Sequence, residues 1–184
     1  MYIDTTLYTG RPEDCTGRLE KEVACYDLLD SLGIAYQRVD HDAADTIVDC
    51  EAVEEYLGAN ICKNLVLCNR QKTDFYLLVM AGEKPFHTKD LSKQIGSSRL
   101  SFAPPEEMER YLGVTPGSAT ILALMNDKEH KVRLILDRSA AELERFGCHP
   151  CINTSSLALS MMEIREKLLP HLGVEPLFVD LPDD

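Results

Sequence analysis

The run Asn60-Ile61-Cys62-Lys63-Asn64-Leu65-Val66-Leu67-Cys68-Asn69 decides how this chain folds. Ile61, Leu65, Val66 and Leu67, together with two cysteines, read as a short strand buried on both faces. Such a strand has no solvated face for the charged head of Lys63. The lysine must therefore reach water at the strand end, pair with an acid, or open into a cavity that holds an anionic or carbonyl-bearing ligand. Spacing alone leaves these readings open.

Working outward, Asn69 to Asp74 is a polar loop and Phe75 to Met80 is a β-rich run that pairs back antiparallel as a hairpin. Upstream, Leu19, Val23, Tyr26, Leu29 and Leu32 recur at near-helical spacing, and Gly33 closes a helix over Arg18 to Leu32. Ile34 to Val39 reads as a strand, and Asp40-His41-Asp42 as a polar turn. Thr46 opens the next ordered element, Asp49 caps a helix over Glu51 to Leu57, and Gly58 ends it. Downstream, a helix starts at Thr88 or Asp90 and stops near Gly96, and Leu100 to Phe102 is a short strand. Pro104-Pro105-Glu106-Glu107 opens a helix that runs through Leu112. Thr115 to Thr120 is a tight loop of small residues. Ile121 to Met125 and Val132 to Leu136 are expected to form a hairpin across Asn126-Asp127. Ala140 to Phe146 reads as one or two helical turns, Cys148 to Thr154 as a strand entering a turn, and Met161 to Leu172 as the last helix. The mixture of hairpins and intervening helices predicts an α+β fold with a mixed sheet, not a doubly wound parallel one.

At 184 residues the chain has the length of one domain, with residues 1–17 as an extension and 174–184 as a tail. No apolar run approaches the ~18 residues of a membrane span, and the first residues lack the pattern of a signal peptide, so a cytoplasmic location is expected. Seven cysteines, an odd number at irregular spacing, argue for reduced thiols. Cys148-His149-Pro150-Cys151 has the spacing of a metal or redox motif, but zinc normally takes four ligands and no second pair accompanies it. No cofactor is implied.

A formal charge of −12 excludes nucleic-acid binding through the overall field and leaves only a local patch for a polyanion. Between Lys84 and Arg99 four cations, Lys84, Lys89, Lys93 and Arg99, face one acid, Asp90. This is either such a patch or an ordinary solvated helix face.

Three segments pool unusual residues: Lys63-Asn64, Gly117-Ser118, and His149 with Asn153. A glycine loop lets backbone N–H groups approach an oxyanion closely, and a histidine before proline is held extended, which fixes its ring. Lys63-Asn64-Leu65 after an isoleucine, Gly117-Ser118, and Cys148-His149-Pro150 through Asn153-Thr154 resemble the YbaK/prolyl-tRNA-synthetase-associated editing domain. Phe75 to Leu78, Arg99 to Phe102 and Leu124 to Asp127 add to the likeness, which spans about Arg18 to Leu172 and points to the free-standing PrdX/ProX-like branch.

The resemblance implies a mixed, partly barrel-like sheet flanked by helices. It also implies an aminoacyl-tRNA deacylase that hydrolyses mischarged tRNA(Pro), most typically Ala-tRNA(Pro), with prolyl-tRNA synthetase as a partner. By that similarity Lys63 is the family lysine, His149 the pocket histidine, and Gly117 the first position of the glycine motif; the backbone N–H groups of Gly117 and Ser118 are expected to hold the oxyanion. Asn64, Thr46, Thr120, Ile121 and Asn153 are then substrate-binding, and Lys89 and Lys93 meet the tRNA. Many relatives carry proline four residues after the glycine; here Ile121 stands there, a stiff residue expected to border the acyl pocket. Two other classes fit the same residues: a tRNA-docking module without turnover, and a metal-dependent or redox protein centred on Cys148 and Cys151.

Overall fold

The computed structural model describes residues 1–184. In chain order the elements are β1 (Tyr8–Thr9), α1 (Glu20–Ser31), β2 (Gln37–Asp40), α2 (Ile47–Leu57), β3 (Lys63–Cys68), β4 (Phe75–Met80), α3 (Thr88–Ile95), β5 (Ser101–Phe102), α4 (Pro105–Leu112), a 3-10 helix (Ile121–Asn126), β6 (Val132–Asp137), α5 (Arg138–Ala141), β7 (Arg145–Cys148) and β8 (Ser155–Ser160). The last helix is continuous but changes pitch, from α6 (Met161–Glu163) through a π-helical turn (Ile164–Leu168) to α7 (Leu169–Leu172), and β9 (Leu177–Val179) follows.

The strands form two sheets, one ordered β1-β2-β8-β7 and one ordered β5-β3-β4-β6-β9. The first is antiparallel throughout. In the second, β3 pairs antiparallel with β4 and β5, whereas β6 lies parallel to β4 and β9 parallel to β6. The fold is therefore α+β with a mixed sheet, as the element pattern predicts. Its two sheets meet at an isolated parallel bridge between Ile61 and Gly147 and do not close into a barrel.

The reading of the Lys63 strand holds at the level of packing. Val66, Cys68, Leu77 and Val79 face a cluster of 32 buried residues. Leu67, Tyr76, Leu78 and Met80 face a second cluster with Leu91, Leu100, Ile135 and Val179. Both faces are apolar because α3 and the C-terminal segment cover one and the α1–α4 side covers the other. Lys63, Asn64 and Leu65 sit at the open end of the strand and are only partly buried.

Several expected elements differ. Ile121 to Asn126 is a buried 3-10 helix, with the Thr120 hydroxyl accepting from the Leu122 N–H at 3.3 Å, and so no hairpin joins it to β6. A short apolar run has no periodicity that separates a buried helix from a buried strand. The helix expected over Ala140 to Phe146 ends at Ala141, and the chain then enters β7. Residues 149–154 make a turn into β8, with Cys151 at a positive φ of 63°. Thr46, not Asp49, caps α2: its hydroxyl accepts from the Asp49 N–H while the Asp49 carboxylate accepts from the Thr46 N–H, a capping box. The tail supplies β9, and the N-terminal extension supplies β1.

Two glycines clamp the junction of the sheets. A Cβ on Gly82 would lie 2.3 Å from the Ile61 carbonyl oxygen, and one on Gly147 would lie 2.9 Å from Ile61 Cγ1. On the Gly82 side the obstacle is backbone, which cannot swing away. Gly82→Ala is expected to cost about 1–3 kcal/mol of stability by overpacking, read as a lower midpoint in urea. An unchanged midpoint would mean that the start of the Lys63 strand is free to shift.

Candidate active site

Where the sheets join, the open end of β3 faces the N-terminus of α2 and the loop before the 3-10 helix. Between them lies a cleft of about 730 Å³ that includes Thr46, Lys63, Asn64, Gly117 and His149 in its lining. That is the size range of small-ligand sites. The three segments that pool unusual residues thus each contribute to one pocket, and the N-terminus of α2 adds a fourth.

Lys63, in the cleft lining, donates from Nζ to the carbonyl of Lys84. Its partial burial pulls the lysine below its ordinary range, with the Glu83 carboxylate working against that. Asn64 spends Nδ2 on the Cys62 carbonyl at 3.2 Å, while its Oδ1 is buried without a partner in the protein. A buried unpaired acceptor costs about 1–3 kcal/mol, so this oxygen is suited to a donor from outside the chain.

The glycine loop is tight: Gly117 has a φ of 89° and the Ser118 N–H donates to the Thr115 carbonyl at 3.0 Å. That bond corrects the expectation of two oxyanion donors. The Ser118 N–H is taken within the turn and its residue is 4% exposed, so of the pair only the Gly117 N–H remains for a ligand. A Cβ on Gly117 would lie 3.6 Å from Asn153 Nδ2, which itself donates to Asp45 at 2.8 Å. Asn153 therefore braces the rim through Asp45 and does not itself line the cleft.

His149 is 6% exposed, with Nδ1 3.1 Å from the Ser155 carbonyl and 3.2 Å from the Ser156 hydroxyl. Burial, opposed by the Ser155 carbonyl and assisted by His41, pushes the imidazole down to about 4. It is neutral at physiological pH, which suits positioning and hydrogen-bond acceptance.

Other expected site residues lie elsewhere. Thr120 and Ile121 are fully buried, and Ile121 belongs to the main core, not to the cleft wall. Shortening Ile121 would open a cavity behind the site instead of widening it. Lys89 and Lys93 are exposed on α3, outside the cleft. The basic patch also loses a member, because Lys84 is 7% exposed and pairs at 3.1 Å with the fully buried Asp137. Cys148 and Cys151 are buried, and burial pushes the Cys148 thiol up to about 12, so it is neither a ready nucleophile nor a ready metal ligand.

Sequence reasoning missed the acids. Asp45, Glu51, Glu54 and Glu83 line the cleft against the single cation Lys63. They scatter over two segments, so no local run announces them. It also missed His41, read only as part of a turn. His41 is 6% exposed, and its Nε2 lies 2.8 Å from the Ser156 hydroxyl.

One cation, one neutral imidazole and one free backbone donor around a pocket of small-ligand size are equipment for binding and polarising an acyl group. The chain belongs to the aminoacyl-tRNA editing domain family, whose model matches residues 41–167, and it is an aminoacyl-tRNA deacylase that acts on mischarged tRNA. It is 30% identical over 145 residues to the prolyl-tRNA editing protein ProX of Acetoanaerobium sticklandii, covering 79% of this chain and 88% of that one. It is 29% identical over 167 residues to prolyl-tRNA synthetase associated domain-containing protein 1 of Xenopus laevis, covering 89% and 97%. The crystal structure of a candidate trans-editing enzyme for prolyl tRNA synthetase superposes with a TM-score of 0.66 at 17% identity, covering 90% of this chain and 99% of that one. At that identity the likeness is one of fold. No helix is long and apolar enough to cross a membrane.

Proposed function

We propose that this chain edits tRNA(Pro) in trans, with Ala-tRNA(Pro) as the first substrate and with Cys- and Ser-tRNA(Pro) as the competing assignments. The observation that carries the reading is the convergence of Lys63, Asn64, Gly117 and His149 on one cleft. A synthetase pocket that must accept proline cannot strongly reject a smaller residue, since a missing methylene is worth only ~1–3 kcal/mol, and a second, smaller sieve is needed.

The ester is already activated, so the residues need only place it, admit water and hold the oxyanion. In this reading Lys63 grips the acyl carbonyl or the terminal phosphate, and the Gly117 N–H donates to the oxyanion as it forms. Asn64 Oδ1 accepts from a ribose hydroxyl. The acids around the cleft favour the α-ammonium that every aminoacyl ester carries and that a plain acyl ester lacks. His149 positions the substrate or the attacking water from a neutral ring. Prolyl-tRNA synthetase is the natural partner, since its product stream contains the error.

The test is a deacylation panel with Ala-, Cys-, Ser- and Pro-tRNA(Pro). Ala-tRNA(Pro) is expected to be cleaved and Pro-tRNA(Pro) to survive, because a small pocket excludes a bulkier ring by overlap. A tenfold preference for Cys-tRNA(Pro), about 1.4 kcal/mol in transition-state binding, would reassign the acyl group. Equal binding of charged and uncharged tRNA with no release of amino acid would replace the enzyme by a docking module.

A further inference from the structure

The buried polar groups behind His149 form a chain with a definite direction. His41 Nδ1 lies 2.6 Å from the Asp42 carbonyl, and a carbonyl only accepts, so His41 carries its proton on Nδ1. Its Nε2, 2.8 Å from Ser156 Oγ, is then an acceptor, and the serine hydroxyl donates to it. The serine oxygen is left to face His149 Nδ1, at 3.2 Å, with a lone pair. His149 Nδ1 also meets the Ser155 carbonyl at 3.1 Å, so it too must carry the proton. Every one of these contacts pairs a donor with an acceptor when each ring carries its proton on Nδ1, the Ser156 hydroxyl donating to His41 and accepting from His149. The partners are almost wholly enclosed: His41 and His149 are 6% exposed, Ser155 1% and Ser156 0%.

We propose that His41 is a positioning residue for His149: by taking the Ser156 hydroxyl proton, it holds the His149 ring as the Nδ1–H tautomer with Nε2 bare toward the cleft. This rests on the deacylase reading for its consequence, not for its geometry. Without His41 the buried Ser156 hydroxyl loses its acceptor, and the nearest nitrogen is His149 Nδ1. Donation there would drive the His149 proton to Nε2 and turn the cleft-facing atom from acceptor into donor. A group that fixes tautomer and ring orientation from behind acts on the rate without touching substrate. The tilt of 60° between the rings, at 6.3 Å between centroids, rules out stacking as their contact, which leaves the serine as the link.

The experiment combines ¹⁵N-histidine long-range correlation spectra at neutral pH with deacylation kinetics. His149 in the wild type is expected to show a protonated Nδ1 and a bare Nε2. His41→Phe should populate the Nε2–H form and lower kcat about tenfold or more with KM within about twofold. His41→Gln, whose amide oxygen can accept from Ser156, should retain most of the rate. The decisive variant is the double one: adding Ser156→Ala to His41→Phe removes the competing donor and should restore both the Nδ1–H tautomer and most of kcat. A merely structural His41 predicts the reverse, a double variant worse than either single one. An Nε2–H form in the wild type overturns the proposal even if His41→Phe fails to fold, as does an unchanged His149 spectrum in a folded His41→Phe. If the wild type cleaves no ester yet the spectra behave as described, the deacylase reading fails and the positioning role stands.

Discussion

Lys63→Ala is expected to lower the single-turnover deacylation rate by about 100-fold or more, ~2.7 kcal/mol of transition-state stabilisation, while the protein unfolds no more easily than the wild type. Its Nζ is held by the Lys84 carbonyl, and Lys84 is itself fixed to the buried Asp137 at 3.1 Å. The cation is therefore in place before substrate arrives and need not reorganise when charge develops on the ester. Stability should move the other way. Partial burial lowers the lysine, so the unfolded chain binds that proton more readily than the folded one, and the charged head opposes folding at neutral pH. Removing it relieves that opposition. Wild-type turnover in the folded variant would reduce Lys63 to a residue at a strand end. A large drop in melting temperature would mean that its bond to Lys84 holds the β3 edge.

Mild acid is expected to destabilise the protein through its buried histidines. His149 titrates near 4 in the folded state against an ordinary 6.5. Between those values the unfolded chain takes up a proton that the folded one refuses, so stability is fully present above about pH 6.5 and falls as pH falls toward 4. The upper bound is about 3 kcal/mol. His41, lowered chiefly by burial, acts in the same direction. Below that window Asp40 takes over: burial raises it, but Arg18, Arg38 and Ser155 outweigh burial and hold it near 2. Its contribution is present above about pH 4 and is lost as pH drops toward 2. Urea unfolding at pH 7, 5.5 and 4.5 would show the first slope, and His149→Phe should flatten it. Equal wild-type stability at pH 7 and 4.5 would mean that the folded ring accepts a proton, which the burial of His149 argues against even though the Ser155 carbonyl favours the charged ring.

Local chemistry determined much of this protein by itself. The β3–β4 hairpin was legible because two apolar runs flank a polar loop, and α1 and α4 from helical spacing and from Pro105 with its acids. The stops at Gly58 and Gly96 were legible because a left-handed residue ends a helix cheaply only as glycine. That Lys63, Gly117 and His149 stand out from their surroundings was legible too, and the fold places all three in the lining of one cleft. The tertiary structure decided everything that depends on a partner far along the chain. Whether Ile121 to Asn126 is helix or strand turns on what packs against it, and both forms bury the same side chains. That β6 lies parallel to β4, and that the tail supplies β9, follows from pairings that leave no mark within either strand. Lys84 counts as a surface charge until Asp137, 53 residues away, arrives beside it. His41 is a turn residue until β8 brings Ser156 against it, 115 residues on. A sequence carries a residue's own preferences, but burial and hydrogen-bond partnership belong to pairs, and here the fold makes the pairs.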